Sequence, residues 1–251
     1  MPDKNFGRKN SLRIFYFLVV LLFVPKVAVF AQSVVELDYN FRFGSQGWTA
    51  DFADYSPASN ANGFYELYAG VRFMPRKLTR LPQRGFYIQG NNHSDDLFMF
   101  LKRRLTSADG ILAGRAYRLE YAITLASDAP SNCFGIGGSV AEGVTLKVGA
   151  SPIEPLPVSQ SNGYLIMNVD KGNQAQGGAA ASAAGNIANG IPCSKAAPYY
   201  PFALLERSGT HTANVSVGAN GELWLLVGTD SGFEGLTRLY YQSIRVLLVP
   251  V

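Results

Sequence analysis

RAYRLEYAITLAS, residues 115–127, is the stretch on which the fold turns. Tyr117, Leu119, Tyr121, Ile123 and Leu125 alternate with Ala116, Arg118, Glu120, Ala122 and Thr124. A period of two over this length describes a strand with one face buried and the other wetter. Shorter strand candidates lie on both sides, at residues 34–42, 48–52, 64–69, 85–89, 144–148, 164–169, 213–217, 223–227 and 236–249. Gly, Asn, Asp and Pro punctuate nearly every gap, and Asn220-Gly221 carries a hairpin signal. In the last candidate, Leu239 and Tyr241 share one parity while Ile244, Val246 and Leu248 share the other, so a bulge near Gln242-Ser243 is expected.

Residues 95–105 read two ways. Ser94 could cap a helix with Asp95 and Asp96 in its first turn and Lys102-Arg103-Arg104 in its last, which suits the helix dipole. Leu97-Phe98-Met99-Phe100-Leu101 equally suits a strand buried on both faces, and the neighbouring strands favour that reading. Residues 171–190, KGNQAQGGAAASAAGNIANG, offer little to bury and are expected to form a long mobile loop. Many short strands and no repeat describe a single all-β domain over residues 32–251, a β-sandwich.

Residues 1–31 follow a different logic. Lys4, Arg8, Lys9 and Arg13 precede an apolar run at residues 14–24, and small residues end at Ala31. That order describes a secretory signal peptide cut before Gln32; a spanning helix needs about 20 apolar residues, and Pro25-Lys26 ends the run early. The expected product is secreted, periplasmic or on the cell surface, with no stable membrane insertion after cleavage. Without the segment, the 22 Lys+Arg and 18 Asp+Glu of the chain become 17 of each. A neutral domain gives no reason to expect a nucleic-acid partner. One local exception is the basic set Arg76, Lys77, Arg80, Arg84 and Lys102-Arg103-Arg104, which leaves an anionic polymer open.

Cys133 and Cys193 are the only cysteines, and an even count in an exported chain predicts a disulfide. The densest polar cluster runs from Gly90 to Asp96. Its Asn92, His93, Asp95 and Asp96 are candidate ligand contacts, and carboxylates in a tight turn are donors of the kind calcium takes. Asp170 is a further oxygen donor for such a metal, and Asp230 and Glu234 share a second loop that could hold a cation or sugar hydroxyls. Trp48 is a candidate stacking surface. Nucleophilic catalysis has little support, because His93 and His211 are the only histidines and no G-x-S-x-G elbow is present.

Three segments resemble the jelly-roll carbohydrate-binding modules and their galactose-binding-like relatives. Phe41-Arg42-Phe43-Gly44-Ser45-Gln46-Gly47-Trp48 resembles their opening, Gly114-Arg115-Ala116-Tyr117-Arg118-Leu119 the turn into their long central strand, and residues 239–246 their last strand. The resemblance implies a jelly-roll-like sandwich and a non-enzymatic module that binds a cell-surface or extracellular glycan. That family places an acidic residue near Gln242 or Ser243 to help hold a structural calcium, and this chain has none there. Two alternatives stand beside it: a glycan-active hydrolase or lyase using Asp95, Asp96, Asp230 or Glu234, and a structural or adhesive surface protein.

Overall fold

The computed structural model describes Met1 and residues 33–251. By its contacts the chain divides into Met1–Ala31 and Gln32–Val251, and the strands of the described residues lie in the second unit. The signal-peptide expectation lies outside the described residues. Among those residues, no helix is long and apolar enough to cross a membrane.

The second unit is a β-sandwich. Numbered in chain order, the first sheet contains β1 (Val35–Asn40), β3 (Tyr68–Phe73), β4 (Arg84–Asn91), β6 (Ala116–Ser127), β11 (Ala203–Thr210), β12 (Val215–Ser216) and β14 (Leu236–Pro250). The second contains β2 (Thr49–Ala53), β5 (Leu97–Leu105), β7 (Val144–Ser151), β10 (Ser182–Asn186) and β13 (Leu223–Ser231). Strands β8 (Pro157–Ser159) and β9 (Leu165–Met167) form a separate ribbon. All strand pairs are antiparallel; the first sheet runs β11-β6-β14-β4-β3 and the second β10-β7-β13-β5-β2.

The alternation of residues 115–127 produces β6 as expected. Its five large apolar side chains are buried, while Arg118 and Ala122 face solvent. Along β6 lies β14, with a register shift between Tyr241 and Ser243. The shift is the bulge that the parity change requires: Leu239 and Tyr241 before it and Ile244, Val246 and Leu248 after it are all fully buried. Residues 97–101 form a strand buried on both faces, because the second sheet has two apolar covers. Leu97, Met99 and Leu101 join the main core, and Phe98 and Phe100 join a smaller cluster with Ala53, Met167, Ala181 and Leu226.

Several expectations shift. The strand placed at residues 64–69 begins at Tyr68, because Asn60 Oδ1 accepts from the Tyr65 backbone N–H at 2.8 Å and holds that stretch in a turn. Asn220-Gly221 does lie in a tight turn, but it passes the chain from β12 in one sheet to β13 in the other. Strand β11 carried no strong pattern; it is a half-exposed edge strand mixing Glu206, Arg207, Ser208 and Gly209. The loop expected at residues 171–190 is replaced by packed structure. Its second half contains β10, paired with β7, and Ala180, Ala181 and Ser182 are buried.

Cys133 and Cys193 form a disulfide across a sequence separation of 60 residues, joining the segment after β6 to the short helix α1 (Cys193–Ala196). Replacing both by serine is expected to cost about 4 kcal/mol in the chain-entropy model. Urea unfolding of the double variant against the oxidised protein measures it.

Candidate functional site

Two turns meet at one end of the sandwich, residues 92–96 between β4 and β5 and residues 232–235 between β13 and β14. Asn92 fastens them. Its buried amide donates to the carbonyls of Ser231 at 2.8 Å and Phe233 at 2.9 Å, and its Oδ1 accepts from the Ser94 backbone N–H at 3.0 Å. With its donors and acceptor engaged, Asn92 is a structural clamp and not the ligand contact expected. His93 stands outside, its ring stacked on half-exposed Phe64 at 3.8 Å. Asp95 is exposed at a positive φ of 63°, and its carbonyl accepts from Gln174 Nε2 at 2.9 Å. Glu234 is half-buried and pairs through its backbone with Ile136.

Asp96 and Asp230 do come together, in company the sequence did not suggest. Strand alternation turns Lys147 and Asp230 away from the main core, onto the outer face of the second sheet. Lys147 Nζ lies 2.7 Å from Asp230 Oδ2, and both side chains are wholly enclosed. Lys171 Nζ approaches the same oxygen at 2.8 Å, with Asp54 Oδ2 at 3.0 Å and Asp96 Oδ1 at 3.7 Å. Lys147 also donates to the carbonyls of Lys171 at 2.8 Å and Gln176 at 2.9 Å, which draws residues 171–176 down onto the sheet.

Three carboxyl groups face two ammonium groups in an apolar setting, where an unbalanced charge is costly. Burial raises the pKa of Asp96 to about 8, helped by hydrogen bonding to Asp230. With Asp96 protonated, the remaining charges cancel. Burial lowers Lys147, whereas for Lys171 the lowering by burial is outweighed by the carboxylates of Asp230 and Asp54, and its pKa rises.

The three residues expected as metal ligands do not converge. Asp170 accepts from the backbone N–H groups of Gly172 at 2.9 Å and Ala179 at 2.8 Å, closing its own loop; these bonds hold its carboxyl below the usual range. Asp95 points to solvent, and Asp96 points to Lys171. Among the described residues, no group of three or more His, Cys, Asp or Glu side chains is placed to hold a metal ion. Trp48 is likewise no stacking surface: it is 1% exposed, packed edge-on against Tyr39 and Phe41 in the core. One signal for the charged cluster was present in the sequence, the single Lys147 within the otherwise uncharged run of β7.

The open surface with binding character lies elsewhere, on the outer face of the first sheet. Tyr87 and Tyr240 are neighbours across β4 and β14, with ring centroids 4.6 Å apart, and Phe202 packs edge-on to Tyr240 at 5.3 Å. Residues 75–78 and 199–202 rise on either side of a cleft of about 600 Å³, with Arg238 among its lining residues. Tyr199 is 87% exposed and Tyr200 43%. Arg238 forms an ion pair with buried Asp128, whose pKa burial nevertheless pushes up to about 6.

No protein-family model and no curated protein sequence matches this chain. Among solved structures it is similar to the carbohydrate-binding module TmCBM61 in complex with β-1,4-galactotriose, at 9% identity and a TM-score of 0.37, covering 82% of this chain and 92% of that one. The CBM22-1 xylan-binding domain of Xyn10C from Paenibacillus barcinonensis matches at 14% identity and a TM-score of 0.37, covering 88% and 97%. The K1 cleaved adhesin domain of Lys-gingipain from Porphyromonas gingivalis W83 matches at 9% identity and a TM-score of 0.33, covering 84% and 96%.

The raised pKa of Asp128 has a definite sign. Between the ordinary carboxylate value and about 6, the folded state holds a proton that the unfolded chain releases. Stability from this group is therefore greatest below about pH 4 and declines as pH rises to about 6. Thermal unfolding across that range should show the decline in the native protein and lose that component in Asp128→Asn.

Proposed function

We propose that the domain is an exported glycan-binding module and that the cleft between residues 75–78 and 199–202 is its binding surface. The observation that carries this reading is the pairing of exposed ring faces with a fixed cation. Tyr199 and Tyr200 present apolar faces against which the C–H face of a sugar ring can lie, and Arg238 supplies hydrogen-bond donors at the cleft wall. Tethering by Asp128 limits the rotamer freedom Arg238 would lose on binding. The basic, apolar and small-residue order of residues 1–31 supports a location where such polymers are found.

The cleft also favours an anionic chain. From residue 67 to residue 94 there is no Asp or Glu, while Arg72, Arg76, Lys77, Arg80 and Arg84 are all exposed. Carboxylate- or sulfate-bearing polysaccharides complement that hairpin, and added salt should weaken their hold. The hydrolase reading fails to gain support at Asp230, which is wholly enclosed and cannot meet a polymer.

Affinity electrophoresis through gels containing neutral, uronic-acid and sulfated polysaccharides tests the proposal. Retention is expected in an acidic gel. Tyr199→Ala with Tyr200→Ala should weaken it at least about tenfold, a change near 1.4 kcal/mol, with the circular dichroism spectrum unchanged. Equal retention of the double variant, or no retention in any gel, would overturn it.

A further inference from the structure

The charged cluster on the outer face of the second sheet is isolated from the cleft and takes no part in the proposed glycan binding. Its geometry points to a covalent fate: we infer that Lys147 and Asp230 condense to an intramolecular amide that staples β7 to β13.

The two residues occupy the placement such a bond needs. Lys147 lies opposite Gly228 in the β7–β13 register, and Asp230 is two residues further along β13, so both side chains stand on one face as diagonal neighbours. The amine nitrogen is 2.7 Å from a carboxyl oxygen, and neither side chain has any exposed surface. Phe98, Phe100, Leu226 and Ala181 belong to one buried apolar cluster, and Lys171 Nζ, which shares the Asp230 oxygen, sits 5.2 Å from the Phe98 ring. No amide, hydroxyl or ammonium group donates to Asp230 Oδ1, which leaves protonated Asp96 as the group that hydrogen-bonds to Asp230. Two charges held here without water carry a desolvation cost that a neutral amide avoids.

The reaction balances without any added reagent. The ammonium of Lys147 and the carboxylate of Asp230 become one amide and one water, with no change in oxidation state. Lys147 passes a proton to the carboxyl pair, and the free amine attacks Cγ of Asp230 as the C–N bond forms. Asp96 protonates the departing oxygen, the C–O bond breaks, and the second amine proton returns to Asp96. Water leaves through the partly open side of Asp96, whose side chain is 31% exposed. Amide formation is unfavourable between free solutes, but groups held in contact reach effective molarities on the order of 10⁵ M or more. The environment suits the roles: burial lowers the Lys147 pKa toward the free amine and keeps Asp96 protonated as an acid. Lys171 touches the same oxygen, but its carboxylate partners hold it as a cation, so it stabilises charge and does not attack.

Peptide mapping by mass spectrometry on the purified, reduced and denatured protein decides the matter. The expected result is a branched peptide joining Lys147 to Asp230, lighter than the two separate peptides by one water, with tryptic cleavage after Lys147 lost. Asp96→Asn should fold and yield the two peptides unlinked. Separate peptides from the native protein would overturn the inference, as would water loss confined to the Asp230 peptide or a branch at Lys171. A full branch in Asp96→Asn would overturn the role given to Asp96.

Discussion

The sandwich depends on one change of parity. Strand β14 is long enough to pair with β4 along its first half and with β1 along its second, while β6 runs beside it from Leu239 onward. A strand of strict alternation could not serve both halves, because the residues that face the core from Leu239 to Tyr241 fall out of phase with those from Ile244 onward. The extra residue at Gln242 restores the phase. Fully buried Tyr241 and Ile244 therefore stand on either side of the bulge, and both halves of the first sheet share one core.

The same rule of alternation explains why the outer face of the second sheet became polar at its centre. Main-core residues of β7 and β13, such as Leu146, Val148, Leu225 and Val227, leave Lys147, Leu226 and Asp230 on the opposite side. An exposed face would tolerate these side chains without further support. Here residues 167–181 and Phe98 cover them, so each charge needs a partner and each partner fixes a loop. The low-complexity segment is thereby held at its start by backbone carbonyls that bind Lys147, and from Ala180 onward by its own small side chains packed against the sheet.

The elements legible in the sequence were those whose information is local. Residues 115–127 announced β6 through alternation, the parity change at Gln242-Ser243 announced its bulge, and the unbroken apolar run at residues 97–101 announced a strand covered on both faces. The disulfide followed from there being only two cysteines. What stayed hidden was set by partners distant in the chain. Asp54, Lys171 and Asp230 meet across 176 positions, and no spacing rule links them. Trp48 and Asn92 have side chains common in binding sites, but their burial decides otherwise, and burial depends on the whole fold. The cleft was missed for a related reason. Its walls come from two connecting segments, residues 75–78 and 199–202, each ordinary until they face each other.

The pairing of β1 with β14 places Glu36 opposite Leu247, so an early strand of the domain waits for the last. A chain emerges from synthesis beginning at its N-terminus. Until residues near 248 are available, Val35, Leu37 and Tyr39 lack the strand that would carry them into the core. The edges of β4 and β6 that β14 joins stay unpaired for that time, and such distant pairings are slow to form. Completion of the first sheet is thus a late event in the domain, tied to delivery of β14.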